Sequence, residues 1–429
     1  MTTVLGVIGF VIVMAGLMLS IALHEIGHLL PAKKFGVRVS QYMVGFGPTL
    51  WSRTRGETEY GVKAIPLGGY IRMIGMFPPR NDGNVADETR GRLGTMIEDT
   101  RTESLSEIVS GEESRTFYNL SAPRKLTVMF GGPVTNLILA FVLFTISMCV
   151  IGSPQATTTL STVYTCVPTD SNPTGIASVD GGCGDGVKTS AALLGLRAGD
   201  QLVAINGVAL TNWYDLGSQL RGQQGKQTVI TFNRDGVSKT ESVVLGQITD
   251  AEGTRGFLGV SPSTMMHKES ITHVGPFMND LARESVSALG TFPTSVYHLA
   301  RELFSSTPRD PNGPVSVIGI GKIGGEIASM PDISLSSKVA SSLDLLGSLN
   351  LFLFLFNMLP ILPLDGGHIA GALYEGLRRT WARMRRVSDL PGPADTAKLM
   401  PLAYIVSIAL VAMSAVVILA DIIKPISLG

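Results

Sequence analysis

Charge is what this chain has least of. Only 16% of its 429 residues are charged and 45% are hydrophobic, whereas a soluble globular chain carries about 25% charged residues. Mean hydropathy is positive. That deficit argues against an ordinary soluble protein and predicts membrane segments. Acidic and basic residues balance to a formal net charge of zero, so no basic excess points to a nucleic-acid partner. The apolar N-terminal stretch has neither a basic start nor a small-residue cleavage site, which argues against a secretory signal peptide. Internal repeats, usual in secondary transporters, are missing too. Cysteine is nearly absent, with three in all.

Four runs are long and apolar enough to cross a bilayer as helix, which takes about 20 residues. They lie near 4–30, 126–151, 343–364 and 402–422. Lys33, Lys34, Arg38, Arg124 and Lys125 flank the segment between the first two spans, and five arginines between Arg378 and Arg386 follow the third. Basic residues next to span ends stay in the cytoplasm. Both connections are therefore expected inside. The long segment between spans two and three is expected outside, with both termini. Cys149 falls in the second span as a small apolar packing residue. Cys166 and Cys183 fall in the outer segment, where an oxidising compartment permits a bridge. A Cys166–Cys183 disulfide is predicted, the alternative being two free thiols.

The expected domains follow. Residues 1–35 form the first span and 36–78 a β-loop region, because Gly turns punctuate alternating residues there. Residues 79–122 are polar, acidic and rich in Gly and Ser, and read as a flexible cytoplasmic insertion. The second span is 123–152. Residues 157–262 form an outer domain with strand-like runs and turns at Asn206-Gly207 and Asp235-Gly236. Residues 263–341 read as an amphipathic helical region, lying on the outer membrane surface or packed on that domain. The third span is 342–370, a basic cytoplasmic loop occupies 371–400, and the fourth span is 401–424.

The chemistry starts at His24-Glu25-Ile26-Gly27-His28. Positions i and i+4 of a helix share a face, so both imidazoles can hold one cation, with Glu25 beside it to work a water. Zn2+ suits imidazole and carboxylate donors that leave a position open. Such a five-residue pattern can arise by chance. Within an otherwise uncharged apolar helix, however, a carboxylate costs at least about 2.5–3.5 kcal/mol on insertion scales, which favours a functional reason. A catalytic zinc usually has three protein ligands. The third is expected at Asp365, after Asn357-Met358-Leu359-Pro360-Ile361-Leu362-Pro363-Leu364, where two prolines break regular helix. Spans one and three both run inward, so Asp365 and the histidine pair fall at similar depth. The alternative is that Asp365 caps a cytoplasmic helix. His368 is a rival ligand.

Gly195-Leu196-Arg197-Ala198-Gly199-Asp200 followed by Leu202 and Ile205-Asn206-Gly207 resembles a bacterial PDZ domain. Phe257-Leu258-Gly259-Val260 resembles that family's carboxylate-binding loop, or is a plain strand. Together with the HExxH helix, the late Asn-x-x-Pro-x-x-Pro-Leu-Asp-Gly-Gly, Ile65-Pro66-Leu67-Gly68-Gly69-Tyr70 and Gly132-Pro133-Val134-Thr135-Asn136, the chain resembles the site-2 protease family, bacterial RseP-like with one PDZ domain. The resemblance implies a four-span helical membrane protein with a cytoplasmic-side membrane-reentrant β-hairpin over 61–73 and an extracytoplasmic α+β PDZ domain. It implies zinc on His24, His28 and Asp365, with Glu25 as catalytic base. It also implies substrate contacts at Asn357, Gly68, Gly69 and Tyr70. The expected partners are the lipid bilayer and single-span membrane proteins, anti-sigma factors among them, already trimmed by a site-1 protease. The expected location is the bacterial plasma membrane. Against this stand a non-catalytic scaffold working through its PDZ domain, and a metal channel or transporter.

Overall fold

The computed structural model describes residues 2–79, 91–167, 183, 187–250, 253–305, 309–310, 313–331 and 333–426. The chain divides into two compact units, Met1–Ile151 with Glu269–Gly429, and Gly152–Lys268. Among the described residues, four helices are long and apolar enough to cross a membrane, within Thr2–Lys34, Ala122–Ile151, Leu335–Asn357 and Thr396–Ile423.

The first unit opens with α1 (Thr2–Lys34), whose buried stripe of Val13, Leu17, Ser20, His24 and His28 follows helical spacing. A Val37 N–H to Ala32 carbonyl bond closes its end, with Gly36 at φ 81. β1 (Val39–Arg55) and β2 (Thr58–Met73) follow. They are more than the expected hairpin. The register pairs Val39 with Met73 and Val44 with Gly69, and separately Thr49 with Lys63 and Arg55 with Thr58. Gln41 to Val44 also lie beside Glu59 to Val62, running the same way. Gly45 at φ 94 and Gly47 at φ 84 let β1 turn back on itself. The result is a small sheet of four segments with 69–73 at an edge.

Residues 80–90 of the expected flexible insertion lie outside the described residues. The rest is ordered, contrary to that expectation: α2 (Arg92–Ser106) is followed by single turns at Glu113–Arg115 and Phe117–Asn119. Ion pairs hold it. Arg38 meets Glu112, Arg72 meets Glu107, Arg115 meets Glu57, and the buried Arg101 meets Asp395. Local polarity masked a segment that is fixed by charges from distant parts of the chain. α3 (Ala122–Thr145) then runs on as a wider turn at Ile146–Ile151. It approaches α1 so closely that a Cβ on Gly131 would lie 1.9 Å from the Gly27 carbonyl.

The second unit is a sheet of β3 (Ser153–Val163), then, after α4 (Ser190–Leu193), β4 (Gln201–Ile205) with a short β5 (Val208–Ala209). α5 (Trp213–Leu220), β6 (Gln227–Arg234), β7 (Val237–Val244), β8 (Gly246–Asp250), β9 (Gly253–Phe257) and β10 (Val260–His267) complete it. The strand order is β10-β3-β4-β6-β7, with β8 and β9 paired apart. Asn212 and Asp215 form a capping box on α5. Leu160, Leu202, Ile205, Ile230 and Phe232 are buried together. Asn206 at φ 48 with Gly207 at φ 80, and Asp235 at φ 52 with Gly236 at φ 80, make the tight turns. Cys166 and Cys183 are joined, and Cys149 is free. Residues 168–182 of the expected outer domain lie outside the described residues. Phe257 ends β9 and Val260 begins β10, with the Leu258 and Gly259 carbonyls accepting from Ala191 and Tyr164.

Back in the first unit, α6 (Ile271–Glu302) is one 32-residue helix. The amphipathic expectation for 263–341 needs correcting in its placement. α6 buries Val274 and Met278 beside Phe144 and Leu351, and Val296 and Leu299 beside Val417 and Ala420. It thus packs on helices of its own unit. The Gly-rich α7 (Val317–Ser329) lies against the N-terminal half of α1, where a Cβ on Gly9 would sit 2.5 Å from the Gly324 carbonyl. α8 (Leu335–Asn357) starts before the expected third span and stops before Asp365. After Pro360 and a cis Leu362–Pro363 bond, α9 (Asp365–Met384) begins a new helix that runs into the expected loop as far as Met384. α10 (Met400–Ile423) is the last element.

Candidate metal centre

A histidine pair and a carboxylate more than 300 residues further along the chain converge. His24 and His28 come from the buried face of α1, and Asp365 is the first residue of α9. Asp365 faces the histidines, and the capping alternative is not met: Leu364 holds the cap position of α9, with no side-chain cap bond. The two imidazole Nε2 atoms are 3.2 Å apart, and each is 3.3 Å from Asp365 Oδ2. Donors held at zinc distances of about 2.0–2.1 Å in a tetrahedron stand about 3.3–3.4 Å from one another. The spacing fits. Among the described residues, these three form a set able to hold a metal.

Protonation fits as well. His28 Nδ1 lies 2.8 Å from the Val128 carbonyl, so Nδ1 carries the proton and Nε2 keeps its lone pair. His24 Nδ1 lies 3.1 Å from the Asn136 amide group, whose Oδ1 is buried without a partner. A half-turn of that amide sets Oδ1 against Nδ1–H, satisfying both and freeing His24 Nε2. Asp365 Oδ2 is likewise buried without a donor. Three lone pairs then meet with no proton between them, an arrangement that repels unless a cation sits there. α3 makes room for it: a Cβ on Gly132 would lie 2.1 Å from His28 Nε2 and 2.7 Å from His24 Nε2.

A cavity of about 590 Å³ opens over this centre. Glu25, Gly68, Gly69, Tyr70, Asn357 and His368 all line it. Gly69 sits on the sheet edge, where a Cβ would be 3.1 Å from Glu25 Cγ. Ile71, two residues further along that edge, lines the same cavity. Tyr70 stacks on Phe46 at 6.1 Å between centroids. Asn357 is the last residue of α8. His368 stands one turn beyond Asp365, 6.2 Å from the Phe77 ring, and is outside the donor set.

Sequence reasoning missed the supporting groups. Asn136 and Gly132 lay in a string singled out only for its likeness to a family segment. The available signal was a buried amide side chain in an otherwise apolar span. Lys125 and Glu375 were missed too. They form a buried pair at 2.7 Å that ties α3 to α9, ten residues beyond Asp365.

The chain matches Peptidase family M50 over residues 12–389. It belongs to that family. Among M50-type relatives, it is 30% identical to "Zinc metalloprotease Rip1" of Mycobacterium tuberculosis, over 98% of this chain and 99% of the relative. It is 31% identical to Rip1 of Mycolicibacterium smegmatis, over 98% of each. "Zinc metalloprotease RasP" of Bacillus licheniformis is 25% identical over 87% of this chain and 90% of its own. An M50 peptidase with a histidine pair, a carboxylate and a free glutamate beside them has the parts of a metal-dependent hydrolase.

Proposed function

We propose that this M50 peptidase is an intramembrane zinc protease that cuts single-span membrane proteins at the depth of the bilayer. The chain is a zinc metalloprotease, and His24, His28 and Asp365 hold its zinc. One observation carries the intramembrane reading: the histidine pair lies on a helix long and apolar enough to cross a membrane. Zinc held by these residues would polarise the scissile carbonyl and lower the pKa of the attacking water. Glu25 takes the proton from that water and hands it to the leaving nitrogen. Asn136 and the Val128 carbonyl hold the imidazoles in the ligating tautomer.

A helical peptide bond is locked in its own hydrogen bonds, so substrate must unwind first. The 69–73 sheet edge beside Glu25 offers replacement bonds by strand addition. Gly68, Gly69 and Tyr70 line that path, and Asn357 holds substrate backbone across from it. Basic residues at span ends place the centre near the cytoplasmic side, and the 152–268 domain, read as PDZ-like, outside. That domain screens substrates, anti-sigma factors among them, for prior trimming by a site-1 protease. A scaffold or a transporter has no use for a glutamate beside three converging donors.

The test is Glu25→Gln in the full chain, reconstituted in bilayers. Cleavage of a single-span substrate falls by about 10²–10⁴, while zinc content measured by metal analysis stays unchanged. Full activity in the variant would sink the mechanism. Crosslinking to the same variant in cells captures single-span proteins that have lost their outer part. Capture of intact ones alone would sink the order of cuts.

A further inference from the structure

α9 presents two faces. Ala372, Glu375 and Ala382 are buried on one side, and Lys125 reaches Glu375 there. From the third turn onward the other side is apolar and bare. Leu373, Tyr374, Leu377, Trp381 and Met384 are all exposed, Leu377 by 71% and Met384 by 69%. At 100° per residue these five fall within about 100° of arc, so they form one continuous stripe. A cytoplasmic helix gains nothing by showing such a stripe to water.

The flanks of the stripe are cationic. Arg378 lies over the Tyr374 ring at 5.6 Å and Arg385 over the Trp381 ring at 4.7 Å. Arg383, Arg385 and Arg386 have no carboxylate partner among the described residues, while Arg379 pairs with Glu375. Tyr and Trp rings with arginines beside them are the composition of a membrane–water interface. The helix also stays near the membrane by construction, because it lies between α8 and α10, two of the span-length helices.

We propose that this stripe docks on the leaflet facing the basic loops, with Leu377, Trp381 and Met384 among the acyl chains and Arg383, Arg385 and Arg386 on anionic phospholipid headgroups. The inference rests on the membrane orientation proposed above. Opposite charge selects this occupant over a zwitterionic surface, and each arginine engaged at an anionic surface enriches it about fivefold. The leaflet then braces the outside of the helix that opens on Asp365, as the Lys125–Glu375 pair braces its inside.

The test uses the full chain carrying Trp51→Phe and Trp213→Phe, which leaves Trp381 alone of three tryptophans. The protein is reconstituted in vesicles of phosphatidylcholine and phosphatidylglycerol, with bromine on the acyl chains of one lipid at a time. Brominated phosphatidylglycerol is expected to quench Trp381 severalfold more per mole than brominated phosphatidylcholine. In Arg383→Gln/Arg385→Gln/Arg386→Gln that ratio drops to about one. Equal quenching by the two lipids before any arginine is changed overturns the proposal. So does an absence of quenching, which would assign the stripe to a protein partner. Quenching requires no cleavage, so an inactive protein that still prefers phosphatidylglycerol counts against the protease reading alone.

Discussion

Two aspartates, the buried Asp200 in one unit and the half-buried Asp365 in the other, show how differently a carboxylate can be housed. Asp200 in the 152–268 domain is fully partnered: Arg234 donates from Nε at 2.7 Å and Nη2 at 2.6 Å, and the Arg197 amide donates at 2.8 Å. Asp365 points Oδ2 at two imidazole nitrogens 3.3 Å away and receives no proton from either. The first arrangement is complete as it stands. The second is complete only with a cation. A saturated polar group speaks for architecture and an orphaned one for function.

Glycines sharpen the comparison most, and the largest effect is expected there. Gly132→Ala puts a methyl group 2.1 Å from His28 Nε2, in the space the zinc needs. Zinc content should fall to background and cleavage with it. Gly217 on α5 is the control, since a Cβ there meets nothing within 4 Å. Gly217→Ala should leave zinc untouched and stabilise the helix by about 0.5–1 kcal/mol. If the Gly132 variant still binds zinc stoichiometrically, the assigned centre is wrong.

Asn136 comes next. Asn136→Leu keeps the volume but removes the acceptor for His24 Nδ1–H. Zinc affinity, read by competition with a chelator, should weaken about 10–100-fold. Asn136→Asp should restore most of it, because a carboxylate accepts the same proton. An unchanged affinity in the leucine variant would mean that His24 is oriented by packing alone.

How much of this was legible in advance depended on range. The His24–His28 pair is a local pattern on one helix, and it could be read directly. Asp365 could be reached because two spans running the same way bring their ends to one depth. Gly132 and Asn136 acquire their roles only from the close crossing of α1 and α3 at Gly27 and Gly131, which no local pattern announces. The four-segment sheet was read as a hairpin because Gly45 and Gly47 fold one strand back on itself. α2 and the turns after it looked disordered because the anchors of that segment, Arg38, Arg72 and Asp395, lie far away in sequence.

The smallest effect belongs to the saturated site. Arg234 and the Arg197 amide hold the Asp200 carboxyl below the ordinary aspartate value of 3.8. A carboxylate with a depressed folded-state pKa stabilises the fold fully above its unfolded value and loses that contribution as pH falls through the folded one. Amide exchange along β4 and β6 should therefore quicken as pH drops below 3.8, after correction for intrinsic rates. Asp200→Asn should weaken protection at neutral pH by roughly 1–2 kcal/mol and flatten the acid dependence. Zinc content should not move at all. A variant that lost zinc as well would break the contrast, because the saturated aspartate would then be serving the metal centre of the other unit rather than its own sheet.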